Sequence, residues 1–439
     1  MAALSLRTVQ HQAAGLLIYQ DVLKHPVGET FFVLLDALQA GHAVDCLRAY
    51  GAWFYALATT GHNWSGFLKS QILQADNPFS QQAQRRPVAE ISPGIVAAAR
   101  ADLTALQELC DCDPGQVAQW VKTVCKPATL PIPWQGEPDG ASLLDDLTHW
   151  GEAIAPLAQY YQCQGVGIWG RYRAVRWHQG ELVGVAHPDP VQLADLVGYP
   201  EPQSQLVQNT EFLLNGSPAL HVLLYGSRGA GKSSLVKALV QEYGDRGLRL
   251  IEVAKAELQA LPMIVEQLRD LPQKFIIFVD DLSFEEDDEA FKALKVVLEG
   301  NITARPGNVV VYATSNRRHL VREFFGDRPR PQDGDEVQAW DTVQEKLSFS
   351  DRFGLTLTFG PADQETYLAI VRHLAQGYGI AIPDLEARAK QWATRHNGRS
   401  GRTARQFIDH LRATLGLGKL DTLAPMETSG EEIGDRVLI

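Results

Sequence analysis

Residues 226–233 read Gly226-Ser227-Arg228-Gly229-Ala230-Gly231-Lys232-Ser233, the pattern G-x-x-x-x-G-K-[ST] with every defined position filled. The apolar run His221-Val222-Leu223-Leu224-Tyr225 precedes it, and a segment with helical spacing follows. Strand, glycine loop and helix in that order fix an α/β arrangement with the loop at a sheet edge. Glycines let consecutive backbone N–H groups turn inward around an anion, and the helix beginning near Lys232 aims its positive end at the same place. The loop residues Gly226 to Ser234 are therefore expected to cradle phosphates. Lys232 would reach the β- and γ-phosphate oxygens, and the Ser233 hydroxyl would ligate Mg2+.

The chain has 439 residues, enough for two or three domains with real cores. A formal net charge of −12 argues against indiscriminate nucleic-acid binding. Its five cysteines (46, 110, 112, 125 and 163) show no C-x-x-C pair, so zinc is not expected and reduced thiols fit best. No stretch approaches the ~18 apolar residues of a membrane span. The apolar stretch Ala13–Tyr19 is too short for one and lacks the flanks of a signal peptide. A cytoplasmic protein without membrane contact is expected.

Four regions are expected: a helical and β-hairpin region over 1–190, an α/β nucleotide-binding core over 191–360, a helical lid over 361–420, and a flexible tail over 421–439. In the first, Phe31, Leu34, Leu35 and Leu38, then Ile95, Ala98, Leu103, Leu106 and Leu109, recur at helical spacing. Residues 126–142, with four prolines, read as a linker or long loop. Gly165-Val166-Gly167-Ile168-Trp169-Gly170 spells G-x-G-x-x-G, but strand-like alternation follows it from Arg171 to Trp177. A hairpin turning at His178–Glu181 explains the region better than a dinucleotide site. Seven of the nine tryptophans lie before residue 190, as expected of a packed core rather than an aromatic platform. Beyond residue 190, apolar runs at 222–225, 248–253, 275–279, 309–313 and 355–359 alternate with helical segments, predicting a parallel sheet covered on both faces.

Phe275-Ile276-Ile277-Phe278-Val279-Asp280-Asp281 is an apolar strand delivering two carboxylates to the edge where the glycine loop sits. Asp280 would hold Mg2+ opposite Ser233, and Asp281 would orient or deprotonate an attacking water. The acid run Glu285–Glu289 reads as a helix start, with Ser283 and Glu286 spaced as a capping box. A further strand ends in Thr314-Ser315-Asn316, where Asn316, or else Ser315, could touch the γ-phosphate or place the water.

These segments together resemble an AAA+ ATPase over about residues 190–416. Asn316 matches the polar residue called sensor 1. Ser350-Asp351-Arg352-Phe353-Gly354 resembles the arginine-finger segment, with Arg352 as the finger. Gly401-Arg402-Thr403-Ala404-Arg405-Gln406-Phe407 resembles the lid helix that carries sensor 2, Arg402 first and Arg405 second. Asp195-Leu196-Val197-Gly198 resembles the segment that packs on adenine, which makes Val197 and Gly198 nucleotide contacts. Asp280–Glu285, Leu298-Glu299-Gly300, Ala313–Leu320 and Ser350–Gly354 more specifically resemble one bacterial AAA+ family of predicted ATPases of unknown function.

The resemblance implies ATP and Mg2+, a homo-oligomeric ring with nucleotide at subunit interfaces, and a lid that turns ATP state into motion. It leads to an ATPase that remodels a protein client. The alternative is a slow switch or loader acting on DNA, which the Asp280–Asp281 pair in place of the commoner Asp-Glu favours. The acidic balance and the lack of a DNA-binding motif weigh against it. Arg317, Arg318 and Arg322 read as a solvated or inter-subunit cluster, and no aromatic-glycine pore loop stands out.

Overall fold

A computed structural model describes residues 5–127, 131–137, 140–283, 289–299, 305–316, 348–396 and 398–416. Its first part is helical: α1 (Leu6–Ala14), α2 (Pro26–Ala40), α3 (Ala43–Thr60), α4 (Trp64–Leu73), α5 (Pro78–Ala83), α6 (Pro93–Cys110), α7 (Pro114–Cys125), α8 (Ile154–Gln164) and the single turn α9 (Ile168–Arg171). Proline at the first helical position starts α2, α5, α6 and α7, where a missing N–H costs nothing. Phe31, Trp53, Trp64 and Phe67 pack ring against ring inside, with the Phe31 and Trp64 centroids 4.5 Å apart. The buried Asp102 carboxylate accepts the N–H groups of Leu17, Ile18 and Tyr19 at 2.6–3.0 Å, so this buried charge is structural. The tryptophans of this part are core or partly buried, as expected.

The strands are β1 (Ala174–His178), β2 (Glu181–Gly184), β3 (Val222–Gly226), β4 (Leu248–Glu252), β5 (Lys274–Val279), β6 (Val309–Ser315) and β7 (Leu355–Phe359). They form one seven-stranded sheet among the described residues, ordered β2-β1-β4-β5-β6-β3-β7, parallel except for the β1–β2 hairpin. Side chains alternate between the two faces. Leu223, Ile251, Phe275, Ile277, Val309 and Val311 pack on α12 (Leu261–Leu268) and α13 (Glu289–Glu299). Val222, Leu224, Leu250, Ile276, Phe278 and Tyr312 pack on α10 (Pro200–Leu214) and α11 (Lys232–Tyr243). Helices α14 (Gln364–Gly377), α15 (Leu385–Arg395) and α16 (Gly401–Gly416) close around a separate small core of Tyr367, Val371, Phe407 and Ile408. The expected architecture is present: an α/β core with a mostly parallel sheet between helices, a helical part after it and a mostly helical region before it.

Three local differences from the sequence reading have physical causes. The hairpin is no separate patch, since β1 pairs with β4 and extends the sheet. The strand begins at Ala174 rather than Arg171, which instead ends a helical turn over Ile168–Arg171. Gly165 and Gly167 take positive φ there, and Trp169 turns edge-on to Phe275 at 4.9 Å. Part of the proline-rich stretch is tied down: Tyr50 Oη donates to the Ile132 carbonyl at 2.7 Å and Trp134 Nε1 to that of His62 at 2.8 Å. The acid run before Glu289, Glu286 of the proposed capping box, Arg317, Arg318, Arg322 and the tail beyond residue 416 lie outside the described residues.

Side chains from the start of the strands dock the helical part onto the sheet. The last-turn carbonyls of α8 lack partners within the helix. Gln273 Nε2 donates to those of Tyr161 (3.1 Å) and Gln162 (2.9 Å). The Arg249 guanidinium, 2% exposed in β4, donates to the carbonyls of Gln164 (2.5 Å), Trp169 (2.8 Å), Gly244 (2.8 Å) and Leu248 (2.9 Å).

Candidate functional site

At the opposite edge, strand register sets the site. Tyr225 pairs with Ser315 and Val279 with Ala313, so β3 and β6 end together and β5 two residues before them, which sets Asp280 beside Thr314. The residues just beyond them, the glycine loop, Asp280 and Asn316, therefore meet. Gly226 has φ +138°, and a Cβ there would stand 1.9 Å from the Phe359 carbonyl oxygen, so only glycine fits beside β7. The loop is held to β7 by Ser227 N–H donating to Phe359 O at 2.8 Å.

Lys232 begins α11 and is 7% exposed. Its ammonium donates to the carbonyls of Gly226 (2.9 Å) and Ser227 (2.8 Å) and to Asn316 Oδ1 (3.3 Å). Burial holds its pKa below the ordinary lysine value and Arg402 adds to that, against the opposing pull of Asp280 and Asp281. The Asn316 amide donates to Asp281 Oδ1 at 2.7 Å. Ser233 Oγ donates to Asp280 Oδ1 at 2.7 Å. Asp281 has φ +51°, left-handed backbone that a non-glycine residue adopts only when held.

These groups line one cavity of about 570 Å³. Its polar lining comes from the loop, Asp280, Asp281, Asn316, Arg402 and Arg405. Its apolar lining comes from Leu196, Val197, Tyr199, Phe359, Ile370 and Leu374. Gly226, Ser227 and Gly198 support the walls without lining it. Gly198, at φ +114°, lies against α14, where a Cβ would be 2.7 Å from Thr366 Cγ2. The lid touches the loop directly: Arg402 N–H donates to Gly229 O at 3.3 Å, and the N-terminus of α16 faces the cavity.

Both lid arginines line the cavity, and only Arg402 bears on the Lys232 charge. Asn316 is in the cavity, whereas its alternative Ser315 is buried and donates to Leu282 O at 2.9 Å. Arg352 does not line the cavity of its own chain. Its guanidinium lies 2.9 Å from Glu299 at the end of α13. Sequence reading missed Thr314, Gln203 and the apolar wall from α14. An apolar residue on an amphipathic helix carries no sign of which cavity it faces.

The donors suit a Mg2+ ion. Ser233 Oγ and Asp280 are adjacent hard oxygens, and the hydrogen bonds described to Asp280 all fall on Oδ1, leaving Oδ2 for a cation. Among the described residues no group of three or more His, Cys, Asp or Glu could hold a metal ion. The five cysteines are free thiols. No described helix is long and apolar enough to cross a membrane.

Residues 170–415, more than half of the chain, match the family described as "Protein of unknown function (DUF815)". The chain belongs to this family. The DUF815 match begins just before β1 and ends in α16, so it takes in the hairpin, the whole sheet, the cavity and the lid. No curated protein matches the chain. Among solved structures it is similar to the Thermotoga maritima RuvB Holliday junction branch migration motor, at 16% identity and a TM-score of 0.34 over 52% of this chain and 67% of that one. Two point variants of that RuvB match at 16% identity and a TM-score of 0.36, over 52% of this chain and 67% or 68% of theirs.

Proposed function

We propose that this DUF815 protein binds and hydrolyses Mg-ATP at interfaces between its own copies to drive remodelling of a protein client. One observation carries the reading. A buried lysine, two strand-end carboxylates and an asparagine form a hydrogen-bonded chain beside a glycine loop, and the cavity lining also includes apolar side chains.

The loop N–H groups and the two converging helix N-termini attract the phosphates, and Lys232 exchanges its carbonyl partners for phosphate oxygens. Leu196, Val197, Tyr199, Ile370 and Leu374 enclose the base. Ser233 and Asp280 would hold Mg2+, which neutralises phosphate charge when bound. Asp281, oriented by Asn316, accepts a proton from the attacking water. Arg402 and Arg405 extend from the lid to the phosphate end, so phosphate occupancy would set the lid position. Arg352 would serve as a finger for a neighbouring copy in a ring by exchanging its Glu299 partner for phosphate oxygens.

The test is phosphate release and particle size, with and without ATP and single-stranded DNA. Growth in size with ATP and turnover indifferent to DNA support the protein-client reading, whereas DNA stimulation replaces it with a DNA-directed switch. Arg352→Ala is expected to bind nucleotide normally and lose turnover by about 1,000-fold. A loss of binding in that variant removes the finger role.

A further inference from the structure

Consecutive residues of a strand point to opposite faces of a sheet. Asp280 and Asp281 directly follow β5, yet both line the same cavity. The left-handed turn at Asp281 (φ +51°) brings them together, and that conformation is costly for a non-glycine residue. Thr314, 2% exposed near the end of β6, holds it.

A threonine hydroxyl has one proton to give and lone pairs to receive. Thr314 Oγ1 donates to Asp280 Oδ1 at 2.5 Å and accepts the Asp281 N–H at 2.9 Å. The same residue's carbonyl accepts the Leu282 N–H at 2.7 Å. Residues 280–282 are thus bonded to one residue of the neighbouring strand. The branched Cβ narrows the choice of χ1, which fixes the direction of the hydroxyl. Its bond falls on Asp280 Oδ1, the same oxygen that accepts from Ser233.

We propose that Thr314 is the positioning residue for both carboxylates: its hydroxyl orients Asp280 beside Ser233 and clamps the Asp281 backbone in the turn that carries its carboxylate to Asn316. The inference rests on the nucleotide-hydrolase reading and adds to it a residue at the cavity wall whose hydroxyl is engaged with the two aspartates.

The experiment compares full-length wild type, Thr314→Val and Thr314→Ser. Nucleotide affinity is measured by calorimetry with a non-hydrolysable ATP analogue, in Mg2+ and in EDTA, and turnover is measured separately. Valine keeps the shape and removes the hydroxyl; serine keeps the hydroxyl. Thr314→Val is expected to bind as wild type in EDTA, to lose about 10-fold of the affinity gained with Mg2+, and to lose kcat by about 10- to 100-fold, the range seen when a ligand's outer support is removed. Thr314→Ser is expected to recover most of both. A valine variant equal to wild type in Mg2+ affinity and kcat overturns the proposal. So does a serine variant no better than valine, or a valine variant equally weakened in EDTA. If the valine variant does not fold, Thr314→Ala takes its place with the same criteria. Wild type that binds no nucleotide under either condition sinks the hydrolase reading itself, whereas binding and turnover unaffected by valine sink this inference alone.

Discussion

The two edges of the sheet each bury a cation, and each cation is held mainly by backbone carbonyls. At the amino-terminal edge Arg249 donates to four carbonyls, and Gln164 Oε1 lies a further 3.2 Å from its Nη2. At the carboxyl edge Lys232 donates to two carbonyls and the Asn316 amide oxygen. Their surroundings differ. Arg249 is enclosed between α8, α9 and β4, where no solvent or ligand can take over its acceptors, and burial pulls its pKa down to about 10. Lys232 opens on a cavity with two carboxylates across it, so phosphate can compete for its protons. The same bonding pattern makes a fixed joint where access is closed and an exchangeable ligand where it is open.

The strongest way to break this comparison is Arg249→Met. The substitution takes the guanidinium donors away from the carbonyls of Gln164, Trp169, Gly244 and Leu248, of which Gly244 keeps the Gly247 N–H. It is expected to cost about 3–5 kcal/mol of unfolding free energy, read by denaturant titration, with nucleotide affinity of the folded protein unchanged. A loss below about 1 kcal/mol would mean that the joint carries little. Lys232→Ala should do the reverse. Water in the cavity can satisfy the Gly226 and Ser227 carbonyls, so stability should hold within about 1 kcal/mol. Nucleotide affinity should fall by about 100-fold, some 2.7 kcal/mol. A Lys232→Ala variant that unfolds easily and still binds would place this lysine with Arg249.

The two edges were not equally legible in the sequence. Lys232 stands in a motif whose spacing encodes its chemistry, and the strands around it declare themselves as unbroken apolar runs. Hence the parallel core, the lid and the meeting of Lys232, Ser233, Asp280 and Asn316 could be read in advance. Arg249 reads as a polar interruption of a strand, because two of its four carbonyl partners, Trp169 and Gln164, lie 80 or more residues away in sequence and carbonyls have no residue code. Thr314 was hidden differently. Threonine is an ordinary strand residue, and only the register that sets β6 beside β5 shows what its hydroxyl meets. The hairpin was found as a hairpin, but nothing in its alternation told which strand would receive it. Arg352 was expected at the nucleotide of a neighbouring copy, and in its own chain it pairs with Glu299, an ion pair that the spacing of the two residues in sequence does not announce.

The smallest effect sharpens the comparison at a third buried base. His221, 3% exposed before β3, accepts the Val311 N–H on Nδ1 at 2.9 Å, and its Nε2 is buried with no partner. With Nδ1 accepting, the neutral ring already carries its one proton on Nε2, and charging it would add a second at Nδ1, against the Val311 N–H and away from water. Burial, with Arg305 adding to it, therefore lowers its pKa from 6.5 to about 3. The sign follows from linkage. Below pH 6.5 the unfolded chain takes up a proton that the folded chain refuses until about pH 3, so stability is full above the unfolded pKa and declines as pH falls between those values. Between pH 7.5 and pH 5 the loss should be on the order of 2 kcal/mol. His221→Asn keeps an acceptor for Val311 without a titrating group. Its unfolding free energy should lose that much less than wild type over the same interval, whatever the offset at neutral pH. Equal losses in the two proteins would mean that water reaches Nε2, and that this part of the amino-terminal edge is as open as the cavity beside Lys232.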